Sequence, residues 1–149
     1  MASRTNLPND ERGAAMLEFA LSGFLFLLLI IVTLESAIAG FRALTTQFIA
    51  SEGVRRGIVA GAPGDPRLTA PQLRTFILGL ADSYGIAVAP TDIEICGLEN
   101  VTAALRCNAE NMGNSEQFLY VRVASSTPYF LGVMNIDLLG AALSRNEKF

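Results

Sequence analysis

The feature that most constrains this chain is an apolar run close to its start. From Phe19 to Leu34 only Ser22, Gly23 and Thr33 interrupt it. With Ala14 to Leu17 ahead of it, the stretch comes close to the ~20 apolar residues that a helix needs to cross a bilayer. One carboxylate, Glu18, stands inside this stretch, and Glu35 closes it. At 1.5 Å of rise per residue the two acids are about 25 Å apart along a helix axis. A carboxylate in hydrocarbon costs about 2.5–3.5 kcal/mol at the bilayer centre and less toward the interface. Glu18 therefore calls for a partner, or for the interface, which an acid near a helix end reaches by snorkelling.

The thirteen residues before Ala14 (Met-Ala-Ser-Arg-Thr-Asn-Leu-Pro-Asn-Asp-Glu-Arg-Gly) are polar and carry Pro8, which predicts no stable structure there. Arg4 and Arg12 put this end in the cytoplasm, because the orientation rule counts Lys and Arg rather than net charge. A secretory signal peptide has its small-residue cleavage site after the apolar region. Here the candidate site, Gly13-Ala14, precedes it, so a cut would leave the apolar helix as the first element of the mature chain. The cut would also free the α-amino group of Ala14, four residues from Glu18, as a positive partner for that acid.

Gly13 before the cut, Ala14 after it, and the Glu18-Phe19 pair at the fifth and sixth mature positions together resemble a class III (prepilin) signal. Ordinary type IV pilins and type II secretion pseudopilins usually begin with Phe or another large apolar residue. Ala14 followed by Glu18-Phe19 looks more like the tight-adherence (Tad, or Flp) branch. Major Flp pilins are little more than leader and helix, whereas this chain continues for more than 100 residues beyond the apolar run. The chain thus resembles the TadE-like minor pilins, or pseudopilins. A β-like ending that closes in Ser144-Arg145-Asn146-Glu147 is similar to TadE-like C-termini. The resemblance implies cleavage by a prepilin peptidase and partnership with other pilins and the Tad pilus assembly machinery. It implies a single-pass protein of the bacterial inner membrane, with its C-terminal domain in the periplasm. Its role would be to initiate or cap a pilus used in adhesion and biofilm formation. The competing expectation is an uncleaved, permanently anchored envelope protein whose outer domain binds a partner.

The helical pattern does not stop at Glu35. Phe41, Leu44, Phe48 and Ile49 recur at three- and four-residue spacing among Arg42, Thr45, Thr46, Gln47 and Glu52. No proline occurs between Pro8 and Pro63. This predicts one helix from about Ala14 to Ile58, apolar all round in its first half and amphipathic in its second, the second half packing on a globular head. Ala62-Pro63-Gly64-Asp65-Pro66 ends it. A second helix is expected with Thr69 as N-cap, Pro71 in its first turn, an apolar stripe of Leu73, Phe76, Ile77 and Leu80, and Gly85 as its stop.

After Pro90 the period changes to two. Ile93 and Ile95 alternate with Glu94 and Cys96, and Leu119, Val121 and Val123 alternate with Phe118, Tyr120 and Arg122. Thr127-Pro128 is expected to interrupt the second of these strands. The stretch from Met134 to Leu143 reads as a strand or a short helix, its strand character weakened by Gly140-Ala141-Ala142. Residues 97–117 form a polar excursion. Cys96 and Cys107, with ten residues between them, are most simply a disulfide in an oxidising compartment, two buried free thiols being the alternative. The fold class expected is α+β: a long N-terminal helix packed on an antiparallel sheet of three or four strands with one additional helix. The expected divisions are a leader at 1–13, a spine helix at 14–60 and a periplasmic head at 61–149.

Composition narrows the chemistry. Hydrophobic residues make up 51% and charged residues 17%, with a net charge of −3, so no basic stripe is available to neutralise nucleic-acid phosphates. Arg55-Arg56, the only adjacent basic pair, reads as a solvated helix face. There is no histidine, which removes the commonest general base and metal ligand. Two cysteines cannot build a structural zinc site alone. No nucleotide-binding, serine-hydrolase or metalloprotease motif occurs. The expectation is a protein without enzymatic activity, cofactor or metal.

Overall fold

A computed structural model describes residues 10–59, 67–100, 107, 110–114 and 116–146. It is α+β. Helix α1 spans Asp10–Ile58 and helix α2 spans Ala70–Ser83. A short 3-10 turn at Pro90–Asp92 leads into strands β1 (Ile93–Leu98), β2 (Phe118–Tyr129) and β3 (Met134–Arg145). The strands form one antiparallel sheet in the order β1-β2-β3. The chain divides into two compact units, Met1–Ala37 and Ile38–Phe149.

In the first unit, α1 is apolar and exposed on every side. Met16, Leu17, Phe19, Phe24, Phe26, Leu27 and Leu29 all present most of their surface. It is long and apolar enough to be a candidate membrane span. Two of its hydroxyls are satisfied within the helix: Thr33 Oγ1 donates to the Leu29 carbonyl at 2.8 Å and Ser36 Oγ to the Val32 carbonyl at 2.7 Å. This is the arrangement an apolar surrounding requires. The helix begins at Asp10, four residues earlier than the sequence predicts. After Pro8 nothing breaks a helix, and a single Gly13 costs only about 1 kcal/mol relative to Ala. Residues 1–9 of the expected leader, and the expected helix break at Ala62–Pro66, lie outside the described residues.

The second unit begins at Ile38 and so contains the end of α1 as well as the expected head segment. Its core joins Ile49, Ala50 and Val54 of α1 to Leu73, Ile77 and Ala81 of α2. They close on Ile93 and Ile95 of β1 and Leu119, Val121 and Val123 of β2. The period-two alternation thus places one face of β1 and β2 against the helices. Of the amphipathic set Phe41, Leu44, Phe48 and Ile49, only Ile49 enters this core. The face of α1 turned to the sheet is instead small or hydroxylic: Thr45, Thr46, Ala50, Gly53 and Gly57. Side-chain size is what decides this. A Cβ on Gly140 of β3 would fall 2.6 Å from the Thr46 carbonyl carbon and 2.8 Å from the Gln47 nitrogen. A Cβ on Gly53 would fall 3.0 Å from Ile77 Cδ1. Where Thr46 meets Gly140, helix and sheet approach too closely for a side chain to lie between them, while Ile49 and Val54 fill the core beside that contact. The buried threonines return their hydroxyls to the helix, Thr45 to the Phe41 carbonyl and Thr46 to the Arg42 carbonyl, each at 2.9 Å.

Helix α2 starts as expected, with Thr69 at the N-cap, its N–H donating to Gln72 Oε1 at 2.9 Å. Gly85, at φ +66°, follows its end. The buried stripe is Ala70, Leu73, Ile77 and Ala81, with Phe76 and Leu80 at its half-buried margin. Thr127-Pro128 does not interrupt β2, which runs twelve residues to Tyr129. β1 begins at Ile93, opposite Val123, so from Ala124 onward β2 is not paired with β1, and on that edge a residue without an N–H is tolerated. Residues 134–145 are a strand, with Gly140 serving the close approach to α1.

Candidate functional site

The expected processing and assembly residues all lie on α1. Gly13, Ala14, Glu18 and Phe19 are exposed, Phe19 to 81%. Four residues at 100° each return to nearly the same side of a helix, so Ala14 and Glu18 share a face, about 6 Å apart along the axis. Ion pairs among the described residues include Arg55–Glu52, Arg74–Glu110 and Arg122–Glu94, and none of these involves Glu18. The Gly13-Ala14 bond lies within α1, one turn from its first residue.

A second exposed apolar surface lies in the compact unit. Phe41 (65% exposed), Leu44 (74%) and Phe48 (48%) line the side of α1 away from the core, and Tyr84 packs edge-on against Phe48 at 5.8 Å between ring centres. Together with Thr45 they form a shallow apolar hollow. Sequence reasoning found this stripe by its period and assigned it to packing within the head. The structure turns it outward.

The other face of the sheet carries a smaller cluster of Cys96, Leu98 and Tyr120. Cys107 packs against it and is joined to Cys96 by a disulfide with Cα atoms 5.6 Å apart. The bridge ties the polar excursion to the middle of β1. Beside it, directly paired Glu94 and Arg122 form an ion pair of 2.7 Å. Burial pushes the Tyr120 phenol above its ordinary pKa; Arg122 opposes the shift and Glu94 adds to it.

Sequence reasoning gave no role to Arg67. Its guanidinium donates to the Gly57 carbonyl (3.1 Å), the Met112 and Gly113 carbonyls (2.7 and 3.0 Å) and Asn146 Oδ1 (2.6 Å). Asn146 in turn donates to the Met112 and Asn114 carbonyls. Arg67 therefore gathers the end of α1, the excursion and the residue after β3 at one point, and its burial lowers its pKa. A lone Arg after a run rich in Pro and Gly carries no sequence signal for such a role.

Among the described residues no group of three His, Cys, Asp or Glu side chains could hold a metal ion. No family model, curated protein or solved structure matches the chain.

Proposed function

We propose that this chain is a TadE-like minor pilin of a tight-adherence pilus, anchored in the bacterial inner membrane by α1 with the compact unit on the periplasmic side. The observation that carries the reading is a helix apolar and uncovered on all sides from residue 14 to 34, holding one carboxylate, Glu18, one turn after Ala14. A helix with apolar side chains on every face suits a surrounding of lipid or of other helices. Removal of residues 1–13 by a prepilin peptidase leaves an ammonium at Ala14. Within one subunit the ammonium and Glu18 are too far apart along the axis for full pairing. A neighbour staggered by about one turn brings the ammonium of one subunit to the carboxylate of the next. In an apolar filament core two unpaired charges cost several kcal/mol each, whereas a matched, hydrogen-bonded pair offsets much of that.

The outward stripe of Phe41, Leu44 and Phe48 supports the same reading. It continues the exposed apolar helix into the compact unit, where neighbouring pilins can pack on it. The reading assigns no catalytic role: the chain acts by assembly, in starting or capping the pilus and hence in adhesion and biofilm formation.

Glu18→Ala tests it. Membrane insertion should be unchanged, since removing a charge eases partitioning, while co-purification with other pilins and piliation should be lost. Normal piliation by Glu18→Ala would contradict the mechanism. One observation favours the alternative of a permanently anchored, uncleaved protein: the Gly13-Ala14 bond is helical, and a peptidase must first open that turn. First turns lack half of their backbone hydrogen bonds and open readily, so the helical junction slows a peptidase without barring it, and the mass of the mature chain separates the two readings.

A further inference from the structure

The β2–β3 hairpin has an uncommon tip. Tyr129 pairs with Met134, and Phe130-Leu131-Gly132-Val133 connect them. Phe130 (φ +51°), Leu131 (φ +56°) and Gly132 (φ +81°) are consecutive left-handed residues. Gly, Asn and Asp adopt that conformation routinely, and large apolar residues rarely do. Leu131 and Val133 are each 76% exposed and Met134 is 53% exposed. From Thr127 to Ile136 there is no charged residue. Turn chemistry calls for none of these side chains, and water disfavours them.

The direction of the hairpin follows from contacts within the compact unit. Gly57 lies against Leu119 and Gly53 against Val121; Thr46 meets Gly140, the partner of Val123, and Arg42 donates to the Thr127 hydroxyl. Going from Gly57 to Arg42 along α1 thus goes from Leu119 to Thr127 along β2. The two paths are about 22 Å on the helix and about 26 Å on the strand, so they run nearly side by side. Four more strand residues carry the tip on the order of 10 Å beyond Arg42, while Ile38, where the unit begins, is about 6 Å beyond it. The tip lies at the end of the unit at which the chain arrives from the apolar segment of α1.

We infer that the hairpin tip, with Leu131, Val133 and Met134, inserts into the interfacial layer of the lipid bilayer that α1 crosses. Apolar side chains enter the acyl boundary, Tyr129 supplies an aromatic ring of the type enriched at that depth, and the lack of charge from 127 to 136 removes the main cost of entry. The Val133 N–H donates to the Phe130 carbonyl at 3.0 Å across the turn, which fixes the tip so that its exposed side chains are presented before they meet lipid. This inference rests on the membrane-anchored reading above.

Fluorescence quenching of the full chain in phosphatidylcholine–phosphatidylglycerol proteoliposomes tests it. A polarity-sensitive label is placed at Leu131→Cys, at Leu27→Cys in the apolar segment, or at Arg55→Cys, exposed at the opposite end of the unit. Lipids spin-labelled near the headgroup should quench position 131 at least threefold more than position 55, and deep-labelled lipids should quench position 27. Quenching at 27 with 131 no different from 55 overturns the insertion while leaving the anchor intact. A blue-shifted label at 131 without lipid quenching assigns the tip to a protein partner and also overturns it. No quenching at either 27 or 131 overturns both the anchor and the insertion.

Discussion

Gly140→Ala isolates the contact that seats the sheet on α1. A Cβ at this position would overlap the Thr46 carbonyl oxygen and lie 2.6 Å from its carbon and 2.8 Å from the Gln47 nitrogen. These are backbone atoms of a helix and cannot rotate away, so β3 and α1 must separate. Overpacking of this kind costs about 1–3 kcal/mol. Separation also strains the paired bonds between the Gln47 amide and the Ala141 backbone, at 2.8 and 3.1 Å, each worth about 0.5–1.5 kcal/mol. Against this, Ala stabilises by about 0.4–1 kcal/mol through the unfolded chain. The net loss is about 2–4 kcal/mol, or roughly 8–16 °C in Tm for a unit of this size. Gly79→Ala is the matched control. It lies on the exposed side of α2 with nothing within 4 Å of the added carbon, so it should stabilise by about 0.5–1 kcal/mol. Thermal unfolding of the full chain in detergent, followed by tyrosine near-UV circular dichroism, reports the compact unit without the anchor. Equal shifts of the same sign at the two glycines would refute the close-approach reasoning.

Replacing Cys96 and Cys107 together by Ala should lower stability by about 3 kcal/mol, the loop-entropy value for a separation of 11 residues. Alkylation of unreduced wild-type protein from an oxidising compartment should label neither thiol, and full labelling would reject the bridge. Tyr120 makes the fold sensitive to alkali: its folded pKa is raised above the ordinary 10.0, so the native state holds its proton longer than the unfolded state. Stability from this group is intact below pH 10 and falls as pH rises through the raised folded value. Tyr120→Phe should flatten the denaturant midpoint against pH above 10, and an unchanged slope would remove Tyr120 as the cause.

The local signals read from the sequence each had a single physical cause. The apolar run, the Thr69 cap with Pro71, and the alternation of Leu119, Val121 and Val123 need only period and capping, and each lies where they place it. The misplaced elements depended on partners. Phe41, Leu44 and Phe48 have the spacing of a core face, yet the buried side of this stretch took Thr45 and Thr46, because the approach of Gly140 to Thr46 leaves no room for rings. Pro128 looked like a strand breaker, and it is harmless because β1 pairs with β2 only as far as Val123. The Arg67 cluster draws on residues 57, 112, 113 and 146, a juxtaposition that no local pattern encodes. For the proposed processing and assembly residues the sequence supplied the spacing of Gly13, Ala14 and Glu18, and the helix adds the exposed face that Ala14 and Glu18 share.

The central claim is that the apolar helix of the working protein begins with the free amine of Ala14. Intact-mass measurement of the membrane-extracted chain, from cells with an active prepilin peptidase, addresses it directly. The account predicts a single species lacking residues 1–13 and starting at Ala14, converted to the full-length form by replacing Gly13 with a bulky residue. A wild-type chain that retains residues 1–13 under those conditions would contradict the pilin reading and leave a permanently anchored protein in its place.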